Sequence, residues 1–323
     1  MISQQEMSQL IEIKQCNLCG REKFKEVVRG KDRMYLLEGT FKLVKCTNCN
    51  LHFVNPRPKD MSKYYPNDYY SFETRHKRNK LAELIYKTYF SKKGSIFLKA
   101  LFYPIYPLVR TTIVETGKKM LDIGCGGGVF LSRMKNLGLE VHGIDPFAKD
   151  NPELNIIKSK LENAPYKKET FDIITINNTL EHVENPDYTI KKISEWLKRG
   201  GKTIIGVPNI NSLLFKIFGT YWSELDLPRH LYHFNSKTLK RYCAKHGLKI
   251  IKIRYNSVPF EITGSLAYLA SALSKKPKPL SKSKIASNRA LYYLSFPICH
   301  ILSLLKIGGR LEIIAQKNAS NDP

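Results

Sequence analysis

From Lys118 onward, apolar residues gather into short runs separated by turn residues. Met120–Ile123, apolar but for Asp122, is too short for a helix and is followed by Gly124, and it predicts a buried strand. Val129–Leu137 carries its apolar residues at helical spacing and predicts a helix. Leu139–Ile144, Phe171–Asn177 and Thr203–Val207 read as strands, the last placed after Gly200-Gly201. Tyr188–Leu197 and Thr238–Lys245 read as helices, and Leu248–Tyr255 and Leu311–Ala315 as closing strands. Strands alternating with helices imply an α/β architecture, a parallel sheet covered on both faces.

The first third lacks this alternation. A lead-in precedes a compact cysteine-bearing module, Cys16 to about Arg57, whose exit Asn55-Pro56-Arg57-Pro58 reads as extended. The expected division is 1–58 for this module, 59–115 for a linker or helical lid, and 116–323 for the α/β domain. The linker is rich in Tyr and Lys and holds two apolar-basic stretches, Leu81–Phe90 and Ile96–Val109. An insertion at about 258–309 precedes the last strand. It contains the apolar segments Phe260–Leu273 and Leu291–Leu305 around a Lys/Pro/Ser-rich stretch, Ser274–Lys284. Leu291–Leu305 has no Asp, Glu, Lys or Arg but falls short of the ~20 residues that cross a bilayer. It reads as a buried helix, or as an interfacial one helped by the lysines of 275–284 and by Ile96–Val109. A single span is the third option.

The chain has 323 residues and a formal net charge of +25, from 53 Lys+Arg against 28 Asp+Glu. That balance suits nucleic acid, phosphorylated substrates or an anionic membrane, and equally a surface that only confers solubility, since the charge is spread along the chain. The N-terminal residues are polar and form no signal-peptide core, so a reducing cytosolic setting is expected, with peripheral contact at the inner face of the membrane open. Cysteines there act as thiols or metal ligands.

The chemistry is densest at Asp122-Ile123-Gly124-Cys125-Gly126-Gly127-Gly128, where a strand ends in an acid and a glycine-rich turn opens a helix. The dinucleotide fingerprint Gly-x-Gly-x-x-Gly would place its third glycine at Val129, so the fit is poor. The pattern resembles instead the first motif of the class I S-adenosylmethionine (SAM) methyltransferases. Val141-His142-Gly143-Ile144-Asp145, then Phe147, follows at the spacing of an acid that holds the ribose diol. Phe171-Asp172 opening a strand, Asn177-Asn178 at its end, and Leu180-Glu181-His182 after it resemble the family's fourth motif. Leu197-Lys198-Arg199-Gly200-Gly201-Lys202 resembles the next. The resemblance covers about 118–210.

It implies a Rossmann-like sheet of seven strands with the last antiparallel, and a SAM site lined by Asp122, Gly124, Gly126, Gly128, Asp145, Phe147, Leu161, Asn177 and Asn178. Asp122 would serve the ammonium, Asp145 the ribose and Phe147 the adenine face. In Lys160-Leu161-Glu162, lysine replaces the family's usual acid near the adenine amine, leaving the Leu161 backbone as the ring contact.

The segment Asp226-Leu227-Pro228-Arg229-His230-Leu231-Tyr232-His233-Phe234 is similar to the Asp-x-x-x-His-x-x-x-Phe segment of a methyltransferase branch linked to cell-surface sugars. Methyl transfer needs positioning, plus a base when the acceptor is a hydroxyl. A histidine suits that task. His230 ranks first, with Asp226 beside it in the segment, then His182 and His233; each equally fits a role that only props a loop.

Cys16-x-x-Cys19 and Cys46-x-x-Cys49 form two knuckles of the kind that hold structural zinc. The module resembles the N-terminal zinc-binding domain of certain sugar C-methyltransferases. Transfer to a sugar carbon is not expected, because their further C-terminal domain has no counterpart here. The expected function is methyl transfer from SAM to a saccharide or lipid-linked glycan. The alternatives are an RNA methyltransferase and a catalytically silent SAM-binding or scaffold protein.

Overall fold

The computed structural model describes residues 10–66, 80–91 and 94–319. Its N-terminal part is a cysteine module. Strands β1 (Leu10–Ile11) and β5 (Arg57–Pro58) pair with each other, while β2 (Phe24–Gly30), β3 (Phe41–Cys46) and β4 (His52–Val54) form an antiparallel meander. Two helices follow, α1 (Lys80–Phe90) and α2 (Ile96–Leu101).

The α/β body is built from β6 (Lys119–Ile123), α3 (Val129–Asn136), β7 (Glu140–Asp145), β8 (Ile156–Lys158), β9 (Phe171–Asn177), α4 (Pro186–Trp196) and β10 (Leu197–Pro208). Beyond it come α5 (Leu213–Phe218), β11 (Tyr232–His233), α6 (Ser236–Lys245), β12 (Leu248–Asn256), α7 (Pro259–Leu273), α8 (Arg289–Leu304) and β13 (Arg310–Lys317). Seven strands form one sheet in the order β12-β13-β10-β9-β6-β7-β8. Only β13 runs antiparallel to its neighbours, so the expected Rossmann-like sheet is present.

The central strands are apolar on both faces, as Ile173, Ile174, Ile176, Ile204 and Ile205 are all buried. Helix α3 buries Phe130, Leu131 and Met134. Helix α4 starts at Asn185, whose side chain accepts from the Tyr188 amide, with Pro186 in the first turn where a missing N–H costs nothing. Asn235 and Thr238 cap α6 reciprocally.

Two pairings tie the distant parts of the chain together. Strand β11 adds to the edge of the cysteine meander, giving a four-stranded sheet β11-β4-β3-β2, with Tyr232 opposite Phe53 and His233 opposite His52. Helix α7 braces the segment before β11: the Ser223 amide donates to Ser265 Oγ (3.0 Å) and Ser223 Oγ to the Glu261 carbonyl. The segment resembling an acceptor loop is therefore held from both sides.

Candidate active site

The strand order reverses around β6, with β7 on one side and β9 on the other, and that switch point is where open α/β sheets bind ligands. Asp122, Gly124, Asp145, Asn177 and Asn178 all sit at these carboxyl ends. Gly124 has φ +73°, and a Cβ there would lie 2.1 Å from Thr179 Oγ1. Only glycine fits that backbone and that contact. Asp145 spans the glycine turn: Oδ2 accepts from the Gly126 amide (3.0 Å), and Oδ1 from the Phe147 and Ala148 amides (2.8 and 3.1 Å). Phe147 is half exposed and its ring stacks on Tyr65 at 5.7 Å. Gly128 caps α3 in the left-handed conformation, and Leu161 opens a single 3-10 turn.

Asp122 is fully buried. Its Oδ1 accepts from Thr175 Oγ1 (2.5 Å) and from Arg110, while Oδ2 has no partner among the described residues. Burial raises its carboxyl above the usual range and the Arg110 charge opposes that shift. Arg110 also lies over the Phe130 ring at 3.9 Å, and with the Asn177 amide turned so that its oxygen faces the guanidinium, Nε and Nη2 donate to that oxygen at 2.7 and 2.9 Å. Sequence reading missed Arg110, because it sits in the linker and nothing in the local pattern marks it.

The acceptor-loop segment meets β9's exit in a buried cluster. His230 Nδ1 lies 2.8 Å from the Glu224 carbonyl, which can only accept, so Nδ1 donates there and the lone pair of the neutral ring belongs to Nε2. Nε2 lies 3.9 Å from Asp226 Oδ2. Arg229 donates to both Asp226 oxygens and holds that carboxyl below the usual range against the effect of burial. His182 packs edge-to-face on His230 with ring centres 4.6 Å apart, and its Nδ1 lies 3.0 Å from both the Arg229 carbonyl and the Tyr65 hydroxyl. Burial, and then the neighbouring His230, depress the His182 pKa to about 3. His233 is buried with neither ring nitrogen partnered among the described residues, and burial holds it neutral too. Both carboxylate oxygens of Glu181 are likewise buried and unpartnered, and burial pushes its pKa up to about 8. Glu181, His182 and His230 each offer a ligand atom within 4.8 Å of the others, as a metal site would.

The four cysteines of the N-terminal module converge. Cys16 and Cys49 sulfurs are 3.4 Å apart and those of Cys19 and Cys46 3.6 Å, with all four inside 4.8 Å. Tetrahedral zinc with bonds of about 2.3 Å needs sulfurs roughly 3.8 Å apart, so the set fits. The Leu18 and Cys19 amides point at Cys16, as a thiolate prefers. Cys125, Cys243 and Cys299 lie apart and buried.

The fold and this glycine turn define a SAM-binding methyltransferase domain, and the comparisons agree. The methyltransferase domain family matches residues 98–253. A ubiquinone biosynthesis O-methyltransferase of Azoarcus sp. (strain BH72) is 32% identical over 155 residues, 42% of this chain and 66% of that one. Its counterpart from Nitrosococcus oceani is 31% identical over 160 residues, 44% of this chain and 68% of that one. A solved structure titled as a SAM-dependent methyltransferase, possible histamine N-methyltransferase, from Thermotoga maritima overlaps 69% of this chain and 92% of its own, at 20% identity and TM-score 0.43. The chain belongs to the class I SAM-dependent methyltransferases. The cysteine module and the 258–309 insertion lie outside the matched residues. Among the described residues, no helix is long and apolar enough to cross a membrane.

Proposed function

We propose that this enzyme methylates a hydroxyl group on a small or lipid-linked acceptor, with a saccharide as the favoured class. The observation that carries the reading is His230, whose proton is fixed on Nδ1 and whose Nε2 faces a carboxylate kept ionised by a buried arginine. That arrangement suits a base which takes a hydroxyl proton and is then stabilised as imidazolium. SAM, when bound, supplies the methyl group on a sulfonium.

The chain's own residues divide the remaining work. Asp145 and the Gly124–Gly128 turn take the ribose side, Phe147 the adenine face with the Leu161 backbone beside it, and Asn178 the sulfonium side. Asp122 is buried beneath Arg110, so in this reading it orients that guanidinium and does not meet the ammonium directly. Arg110 is then the cation placed for the SAM carboxylate. His182 stays neutral and orients the pocket. Zinc on Cys16, Cys19, Cys46 and Cys49 has a structural role, fixing the meander that carries β11.

The sugar-linked resemblance of the Asp226–Phe234 segment supports a saccharide. The relatives' name, ubiquinone biosynthesis O-methyltransferase, favours a second reading, a small phenolic hydroxyl. Transfer of labelled methyl from SAM to lipid-linked saccharides, prenylated phenols and RNA, assayed side by side, separates these. Labelling of RNA alone would overturn both readings, and no transfer with intact SAM binding would favour a silent scaffold.

A further inference from the structure

We infer that this chain carries a docking face for the surface of an anionic lipid bilayer, built from α8 and the segment Ile96–Tyr103. The apolar positions of α8 divide between two sides. Ser295, Cys299 and Leu302 are buried against the body. Leu294, Ile298, Ile301 and Leu305 recur at helical spacing on another side and are 72, 48, 55 and 62% exposed. Ile96 and Phe97 on α2 are 85 and 73% exposed. The two elements adjoin: the Tyr103 ring stacks on His300 at 4.7 Å, and His300 Nε2 donates to the Pro104 carbonyl at 2.9 Å. A helix side turned to water is ordinarily polar, and a joined apolar patch marks an interaction surface.

Charge selects the occupant. No Asp or Glu occurs anywhere in 84–114 or 262–311, the two stretches that carry the patch. Between α7 and α8, by contrast, stand Lys275, Lys276, Lys278, Lys282 and Lys284, with Arg289 opening α8, all exposed. These lysines lie in the loop that leads into α8, and a second copy of the chain would bring the same basic loop and repel. An anionic bilayer accommodates both features at once, apolar side chains at the acyl boundary and lysines among the headgroups. With 16 residues, α8 is too short to span and has the length to lie along the surface. It also stands outside the residues matched to the methyltransferase domain, as do Ile96 and Phe97.

The test is flotation of the full chain with vesicles of phosphatidylcholine alone, or of an equal mixture with phosphatidylglycerol. The protein should float with the mixture and not with phosphatidylcholine, and about 1 M salt should weaken binding because the Debye length falls to ~3 Å. Ile298→Glu with Ile301→Glu should abolish flotation while S-adenosylhomocysteine (SAH) binding, which reports the fold, persists. Lys275→Gln, Lys276→Gln and Lys278→Gln should each lower partitioning about fivefold. Failure of the wild-type protein to float, or flotation of the double-glutamate variant at the wild-type level, overturns the inference. So does a double-glutamate variant whose only change, by light scattering, is loss of a dimer, which would assign the face to a second copy.

Discussion

Arg229 Nη2 lies 2.6 Å from Asp32 Oδ1, and both side chains are fully buried. Arg229 belongs to the segment that carries His230, and Asp32 to the cysteine module. The same guanidinium grips Asp226 and donates to the Tyr64 carbonyl at 3.2 Å. Asp32 in turn accepts from the Met34 and Leu37 amides, which fixes its loop. With the β4–β11 pairing, this contact makes the module part of the wall that holds His230.

Breaking the contact should be costly. Removing one partner of a buried ion pair typically costs about 3–5 kcal/mol, because the other charge stays buried. Asp32→Ala should lower stability by about that amount in urea denaturation. Glu26→Ala, in the exposed Arg29–Glu26 pair, should leave stability unchanged within error. A similar small effect at Asp32 would remove its bracing role.

Metal loss should be felt at β11. Purified protein should carry one zinc per chain. Stripping it with chelator, or Cys46→Ser, should speed amide exchange at Tyr232 and His233 as the meander loosens. A zinc content near zero, or unchanged exchange after stripping, would refute structural zinc.

Periodicity made the α/β body legible. The predicted strand Phe171–Asn177 is β9 without change, and most others shift by one or two residues, but β10 begins at Leu197, six residues before the expected Thr203, and takes in Gly200-Gly201 and the residue expected to end the helix before it. Short elements escaped, because a three-residue Ile156–Lys158 and a two-residue Tyr232–His233 carry no period to read. The glycine turn was legible because its backbone demands glycine at Gly124. Arg110, Arg229 and Asp32 were not. Their partners lie at positions that only the fold brings near, up to 197 residues away. Glu181 stood within a quoted motif, yet its burial, and so its raised pKa, is a property of packing.

The proposed cofactor contacts are separable. Asp145→Ala and Arg110→Ala should each weaken SAH binding by roughly 1.5–3 kcal/mol, the range for hydrogen bonds to charged groups. Calorimetry measures this directly. Full affinity in the Arg110 variant would return the carboxylate contact to another group.

Glu181 should give stability an alkaline limb. Its folded pKa of about 8 lies above the ordinary 4.5, so the folded state holds the proton more tightly. Its contribution is therefore fully present below pH 4.5 and is lost as pH rises towards 8. Glu181→Gln keeps a neutral side chain and should flatten the fall in stability between those limits. Parallel slopes for wild type and variant would show that Glu181 is ionised in the native state.

The last expectation concerns His230 and the order of roles in the buried cluster. His182 and His233 are held neutral by burial, and His182 Nδ1 is already engaged by a carbonyl and a tyrosine hydroxyl. His230 differs in having Nδ1 committed as a donor to the Glu224 carbonyl and Nε2 turned to a carboxylate 3.9 Å away. A positioned base contributes typically ~10²–10⁴-fold, so His230→Ala should lower kcat by about that factor. SAH affinity should hold nearly constant, because the proposed cofactor contacts lie on Arg110, the glycine turn after β6 and the ends of β7 and β9. His182→Ala should cost less in kcat, and Tyr65→Phe less again, if these residues orient the base and do not accept the proton. Asp226→Asn is a weaker probe, since it also breaks the Arg229 pair and will lower stability. A His230 variant with near-normal kcat on the true acceptor would return this histidine to propping its loop. Lost SAH binding in that variant would place the loop over the cofactor instead of the acceptor.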